Sequence, residues 1–111
     1  MKKVLSVMFF MMFVSLYSQT TVLTDNNGDG IIEYQLVSKS GITLEEGYYY
    51  DGKMFGTWKL YTSEGNLQMV ARFRNGLKHG RWLIYDEKGR VKTEVVYNNG
   101  YKQSASEHRY N

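Results

Sequence analysis

The chain has 111 residues with no cysteine, no proline, eleven glycines, and two Trp, ten Tyr and five Phe; 14 Lys and Arg against 11 Asp and Glu give a formal charge of +3. That length suits one domain, and the missing cysteine excludes disulfides, thiolate metal sites, cysteine nucleophiles and thiol-linked lipid anchors. At 42% hydrophobic and 23% charged residues, it is too apolar for a disordered chain.

Met1-Lys2-Lys3 is a short basic start, followed by an apolar run from Val4 to Tyr17 and then Ser18-Gln19. A positive start, a short apolar stretch and a small residue at the cut are the marks of a secretory signal peptide, expected over residues 1–18. The run is short for a span of ~20 apolar residues; an uncleaved N-terminal anchor is the alternative. Export is therefore expected, to the periplasm, the outer membrane or the medium. Without Lys2 and Lys3 the charge falls to +1, and the remainder is polarised. Residues 20–52 carry six acids and one base, a net −5, whereas residues 53–102 carry ten bases and four acids, a net +6.

The next segment, Asp25-Asn26-Asn27-Gly28-Asp29-Gly30, places Asp25, Asn27 and Asp29 at alternate positions. Alternating oxygen ligands beside glycines resemble the start of a calcium-binding loop. The twelfth position, where such a loop carries a bidentate Glu, is Leu36. An Asn-Gly turn is the preferred reading, and no metal or cofactor is expected.

From there the chain repeats at 24 residues. Gly28, Gly52, Gly76 and Gly100 form one series, and Gly41, Gly65 and Gly89 another. Gly56 matches Gly80, Trp58 matches Trp82, and Tyr61 matches Tyr85; Tyr49, Phe73 and Tyr97 follow the same period. Residues 19–50 are a divergent first unit, with Tyr34 in the Trp register. Residues 51–102 hold two clear copies and the start of a third.

Each copy reads as a β-hairpin. Short aromatic-rich strands are predicted at 57–62 and 81–85. Longer alternating strands are predicted at 67–74 and 91–98, where Leu67, Met69, Ala71 and Phe73 share one face. Asp51-Gly52, Asn75-Gly76 and Asn99-Gly100 supply the positive φ that two-residue hairpin turns need. The expected fold is all-β, an open antiparallel meander of about seven strands, closing in a polar tail over 103–111.

The pattern Tyr/Phe-x-Asn/Asp-Gly-x-x-x-Gly-x-Trp-x-x-Tyr-x-x-x-Gly, matched at 49–65 and 73–89, resembles the MORN repeat in its bacterial variants. The resemblance implies stacked hairpins in an elongated, curved sheet that serves as a scaffold or contact surface. Some members are labelled antitoxins of toxin–antitoxin systems, which makes an antitoxin-like neutralising partner one alternative. Gly52, Gly56, Trp58, Tyr61, Gly65, Gly76, Gly80, Trp82, Tyr85 and Gly89 are its signature positions here.

Catalytic patterns are absent from the sequence: no phosphate-binding glycine loop, no zinc-protease helix motif and no nucleophile elbow. His79 falls in a loop at the position of Phe55, and His108 in the tail. Glu45 and Glu46 are neighbours on a strand, so they face opposite ways. The Trp series could stack on a cell-wall glycan, but packing along the sheet is the preferred reading. Arg72, Arg74, Arg90 and Lys92 are expected on one face of adjacent hairpins, where an acidic protein, a lipid headgroup or an anionic glycan would bind. Nucleic acid is not expected as a partner at a charge of +1. The sequence thus leads to an exported, non-enzymatic contact module that binds a protein partner or itself.

Overall fold

The computed structural model describes residues 19–25 and 28–110. The expected signal segment and Asn27 lie outside them. The described chain is all-β: β1 (Gln19–Thr24), β2 (Ile31–Ser38), β3 (Thr43–Tyr50), β4 (Lys53–Tyr61), β5 (Leu67–Arg74), β6 (Leu77–Lys78), β7 (Gly80–Tyr85), β8 (Val91–Asn98) and β9 (Tyr101–Glu107). They form one antiparallel sheet in the order β1-β2-β3-β4-β5-β7-β8-β9, with β6 beside β5. The sheet does not close, since β1 and β9 lie at opposite ends of that order.

Two kinds of turn alternate. Asp51, Asn75 and Asn99 have φ of 52°, 52° and 47°, and each is followed by a glycine with φ of 73°, 80° and 91°. Two successive positive φ values define the turn whose twist matches a two-residue hairpin, and they explain Asn or Asp followed by Gly. At the other end of the sheet, Ser38, Thr62 and Asp86 open a wider turn with a common form. The N–H of each donates to the carbonyl of the residue four further on, at 2.8 Å in all three. The side-chain oxygen of each accepts the N–H of that same later residue, at 3.1, 3.1 and 2.9 Å. Gly41, Gly65 and Gly89 take the left-handed position, at φ of 90°, 90° and 81°.

The two-residue turns also tie successive hairpins together. Gly76 N–H donates to Met54 O at 3.0 Å, and Gly100 N–H to Lys78 O at 2.8 Å, the same bond one repeat later. Residues 31–50 pair as β2 and β3 into a complete hairpin unit, although their sequence has drifted furthest. β4 and the β6–β7 pair occupy equivalent places, the second interrupted at His79. β9 is the first strand of a further unit.

The chain end differs from the expected polar tail. Residues 101–107 are a strand on β8; beyond it, His108 N–H donates to Lys92 O at 2.8 Å and the Tyr110 hydroxyl to Val91 O at 2.7 Å. Lys, Gln and Ser without apolar alternation hid it, because an edge strand exposed on both faces has no apolar side to show. The sheet has nine strands instead of about seven because β1 and β9 both lie at its margins.

One face carries the core. Tyr34, Leu36, Trp58 and Ala71 are buried, with Leu44, Tyr49, Met54, Phe73 and Trp82 packed against them.

Candidate contact surfaces

The repeat aromatics form one ladder across this face. Tyr34 stacks on Trp58 at 5.2 Å between centroids, and Tyr49 meets both rings edge-on at 5.9 and 5.2 Å. The series continues from Trp58 to Phe73 at 6.1 Å, to Trp82 at 5.2 Å and to Tyr97 at 5.2 Å. Edge-to-face geometry brings the positive rim of one ring to the negative face of the next, adding ~0.5–1.5 kcal/mol per pair beyond buried area. Both indole N–H groups are used locally: Trp58 donates to Tyr48 O at 3.1 Å and Trp82 to Arg72 O at 3.0 Å. With Trp58 only 2% exposed, its ring is not available to a glycan.

Two features of this face escape the repeat pattern. Gly47 lies beneath the Trp58 indole, and a methyl group there would fall inside the ring. Its equivalents one and two units on are Ala71 and Val95, a small-residue series that a search for Gly and aromatic matches does not register. Lys78, where the previous unit has Met54, sets its ammonium 5.1 Å from both the Trp82 and the Tyr97 ring centroids. A cation over two ring faces covers apolar surface while keeping its charge in water.

Glu45 is the one acid set into the ladder, at a position occupied by Met69 and Thr93 in later units. Burial raises its pKa above the usual carboxylate range, a shift opposed by the hydrogen bond from Tyr34. Burial, followed by the Glu45 charge, pushes the Tyr49 phenol up to about 12 and the Tyr34 phenol higher still. Glu46 faces the other way, as strand alternation requires, and accepts the Tyr61 hydroxyl at 2.7 Å. Desolvation followed by that bond raises Tyr61 to about 12. Two repeat Tyr positions thus differ in role: Tyr61 is tied to Glu46, while Tyr85 borders the crevice between successive wide turns.

The opposite face is the more exposed. Tyr48 and Tyr50 are 38% and 53% exposed, and the Phe55 ring lies 6.1 Å from each. Thr57 on β4 pairs with Arg72 on β5, so Arg72 and Arg74 project beside this aromatic group. The Arg72 stem passes over Gly80, where an added methyl group would lie 3.2 Å from its Cδ. Glu33, Gln35, Glu46, Thr57 and Lys59 line a groove of about 290 Å³ next to the same rings.

The four cations expected together divide into two pairs. Thr93 on β8 aligns through Ile84 with Met69 on β5, so Lys92 lies six residues along the strands from Arg74, roughly 20 Å away. Arg90 is occupied by its neighbours. Its backbone N–H, then its side-chain bridge at 3.0 Å and the Lys88 N–H, hold the Asp86 carboxyl below its ordinary pKa, and its guanidinium lies 4.1 Å from the Tyr110 ring.

Nor do the remaining candidates gather into a reactive centre. Asp25 accepts the N–H of Gly28 and Asp29 that of Ile31, each at 3.0 Å, so both carboxylates shape the β1–β2 turn. Among the described residues no three His, Asp or Glu side chains are placed to hold a metal ion. His79 packs in the fold: its Nδ1 accepts the Asn99 N–H at 3.2 Å, fixing the third two-residue turn. No family model matches the chain, and comparison with curated proteins and with solved structures finds no match.

Proposed function

We propose that this chain is an exported, non-catalytic contact module that holds an acidic protein partner on the face opposite its aromatic ladder. The observation that carries the reading is the group formed by exposed Tyr48 and Tyr50 with half-buried Phe55, beside exposed Arg72 and Arg74. Tyr and Arg are the side chains that most often dominate protein interfaces, since each couples apolar contact area with directional polar groups. The repeat Trp residues are spent on packing, which favours this face over a Trp-based glycan site. Export rests on the basic-then-apolar start of the sequence, and the likeness to MORN repeats on its 24-residue pattern.

A photo-crosslinking residue at Tyr50, introduced in cells, tests the reading. The expected result is a crosslink to a second protein in the cell envelope or medium, lost when Arg72→Glu and Arg74→Glu are added. A crosslink that survives the charge reversal, or a chain found wholly in the cytoplasm by fractionation, overturns it.

A further inference from the structure

The two margins of the sheet are complementary halves of the repeat. Among the described residues, β1 (Gln19–Thr24) falls 24 residues before β3 and is a second strand without a first, and β9 (Tyr101–Glu107) falls 24 residues after β6 and β7 and is a first strand without a second. Within the chain these two types pair antiparallel, as β4 does with β5 and β7 with β8. Eight strands lie along the sheet's path, and an even number sets β1 and β9 running in opposite directions. A second copy placed beyond β9 therefore presents its β1 antiparallel, with its ladder face on the same side.

Among the described residues, nothing protects either margin against such pairing. Proteins block sheet edges with proline, with charge along the strand or with a covering element. β1 reads Gln-Thr-Thr-Val-Leu-Thr, without charge or proline, and all four of its central residues are exposed. β9 is exposed along its whole length, and its central Gln103-Ser104-Ala105-Ser106 is uncharged and free of proline. The charge distribution points the same way. Residues 20–52, at net −5, make the β1 end of the sheet, and residues 53–102, at net +6, make the rest up to the β9 end. Head-to-tail contact brings opposite charges together, whereas β1–β1 contact joins two acidic ends and β9–β9 contact two basic ones.

From these observations we infer that copies of this chain assemble head to tail, β9 of one pairing with β1 of the next to extend a single sheet. The contact is heterologous and does not close on itself, so it builds a linear array instead of a fixed dimer. The ladder stops at each junction, because the β9 residue paired with Val95 on the ladder face is Ala105, which carries no ring. The junction therefore rests on backbone hydrogen bonds and charge, and is weaker than the bonds between units. This deepens the contact-module reading by naming the partner of the edges, and rests on that reading only in treating the sheet as a binding surface.

Light scattering across a concentration series, on protein purified as the cell leaves it, supplies the test. The wild-type mass is expected to rise past two chains and to fall back as salt is raised. Two variants carry lysines on one edge each: Ser104→Lys with Ser106→Lys on β9, and Thr20→Lys with Val22→Lys on β1. Each alone is expected to remain a monomer, and their equimolar mixture to form a dimer and stop there, since only one intact β9 then meets one intact β1. Circular dichroism on each variant confirms the retained sheet. A wild type that stays monomeric overturns the inference, as does either variant associating alone or a mixture that fails to pair. A monomeric wild type that still yields the Tyr50 crosslink would sink the array and leave the acidic-partner reading standing.

Discussion

Trp58 and Trp82 stand at the same place in successive repeats, yet Trp58 is 2% exposed and Trp82 only half-buried. The difference traces to the residue beneath. Gly47 lets the Trp58 indole lie against the backbone and reach Tyr34, while one unit later the equivalent position is Ala71. Trp58→Ala is expected to cost about 3–5 kcal/mol, a large part of the stability of a small domain; Trp82→Ala should cost about 1–2 kcal/mol, as befits a half-buried ring. Thermal melts followed by far-ultraviolet circular dichroism separate the two, and equal losses would contradict the ladder's asymmetry. Glu45 gives a second test at this scale. Its carboxyl binds a proton more tightly in the folded chain than in the unfolded one, because burial disfavours the charge. Folding is therefore penalised as pH rises through the window above the ordinary carboxylate pKa. Glu45→Gln keeps an acceptor for the Tyr34 hydroxyl and removes the charge. It should raise stability at pH 7 by on the order of 1 kcal/mol, the position being partly solvated, and the gain should fade as pH falls toward 4.5 and be absent below it.

The hairpin turns show how a short sequence signal becomes an element. Asn75 holds φ of 52°, a region that Asn and Gly enter at little cost and β-carbon-bearing residues such as Ala avoid. Asn75→Gly should leave the melting temperature nearly unchanged, and Asn75→Ala should lower stability by about 1 kcal/mol; a reversed order would mean that the Asn side chain, not its backbone, sets the turn. These turns were legible in the sequence because their chemistry is local. The wide turns at Ser38, Thr62 and Asp86 were half legible. Their glycines stood out, but the three opening residues share only a side-chain oxygen and differ in identity. β9 was illegible for a different reason. Its residues match the repeat in position but not in type, with Ser104 for Gly80 and Ser106 for Trp82. Its register against β8 slips by a residue between Val96 and Tyr97, which sets Ala105 opposite Val95 on the ladder face, and with no ring there β9 caps the ladder without extending it.

Across the whole molecule, stability depends on a single aromatic layer, and two phenols in it, with Tyr61 on the other face, tie the fold to alkaline pH. Tyr49 and Tyr61 are pushed up to about 12, and Tyr34 higher, chiefly by burial. Unfolding lets these groups ionise near 10, so the unfolded chain releases protons that the folded chain retains. Stability is then whole below pH 10 and is lost as pH rises toward 12, by at most about 1.4 kcal/mol per pH unit for each phenol and by less where solvent screens the ring oxygen, as at Tyr61. Tyrosinate absorbance and circular dichroism followed together should show ionisation of these rings coinciding with loss of the sheet. Ionisation well before unfolding would show that the ladder is more open than its geometry implies. The sequence by itself determined the all-β class, the 24-residue unit, the two-residue turns and the pattern of aromatic positions, because each of these depends on residues close together in the chain. Only the tertiary structure decided which surface those units leave exposed. Arg72 separates from Lys92, Arg90 is claimed by Asp86 and Tyr110, Glu45 enters the ladder, and Lys78 covers it. Each outcome depends on how register carries side chains across strands, a distance that periodicity along the chain does not measure.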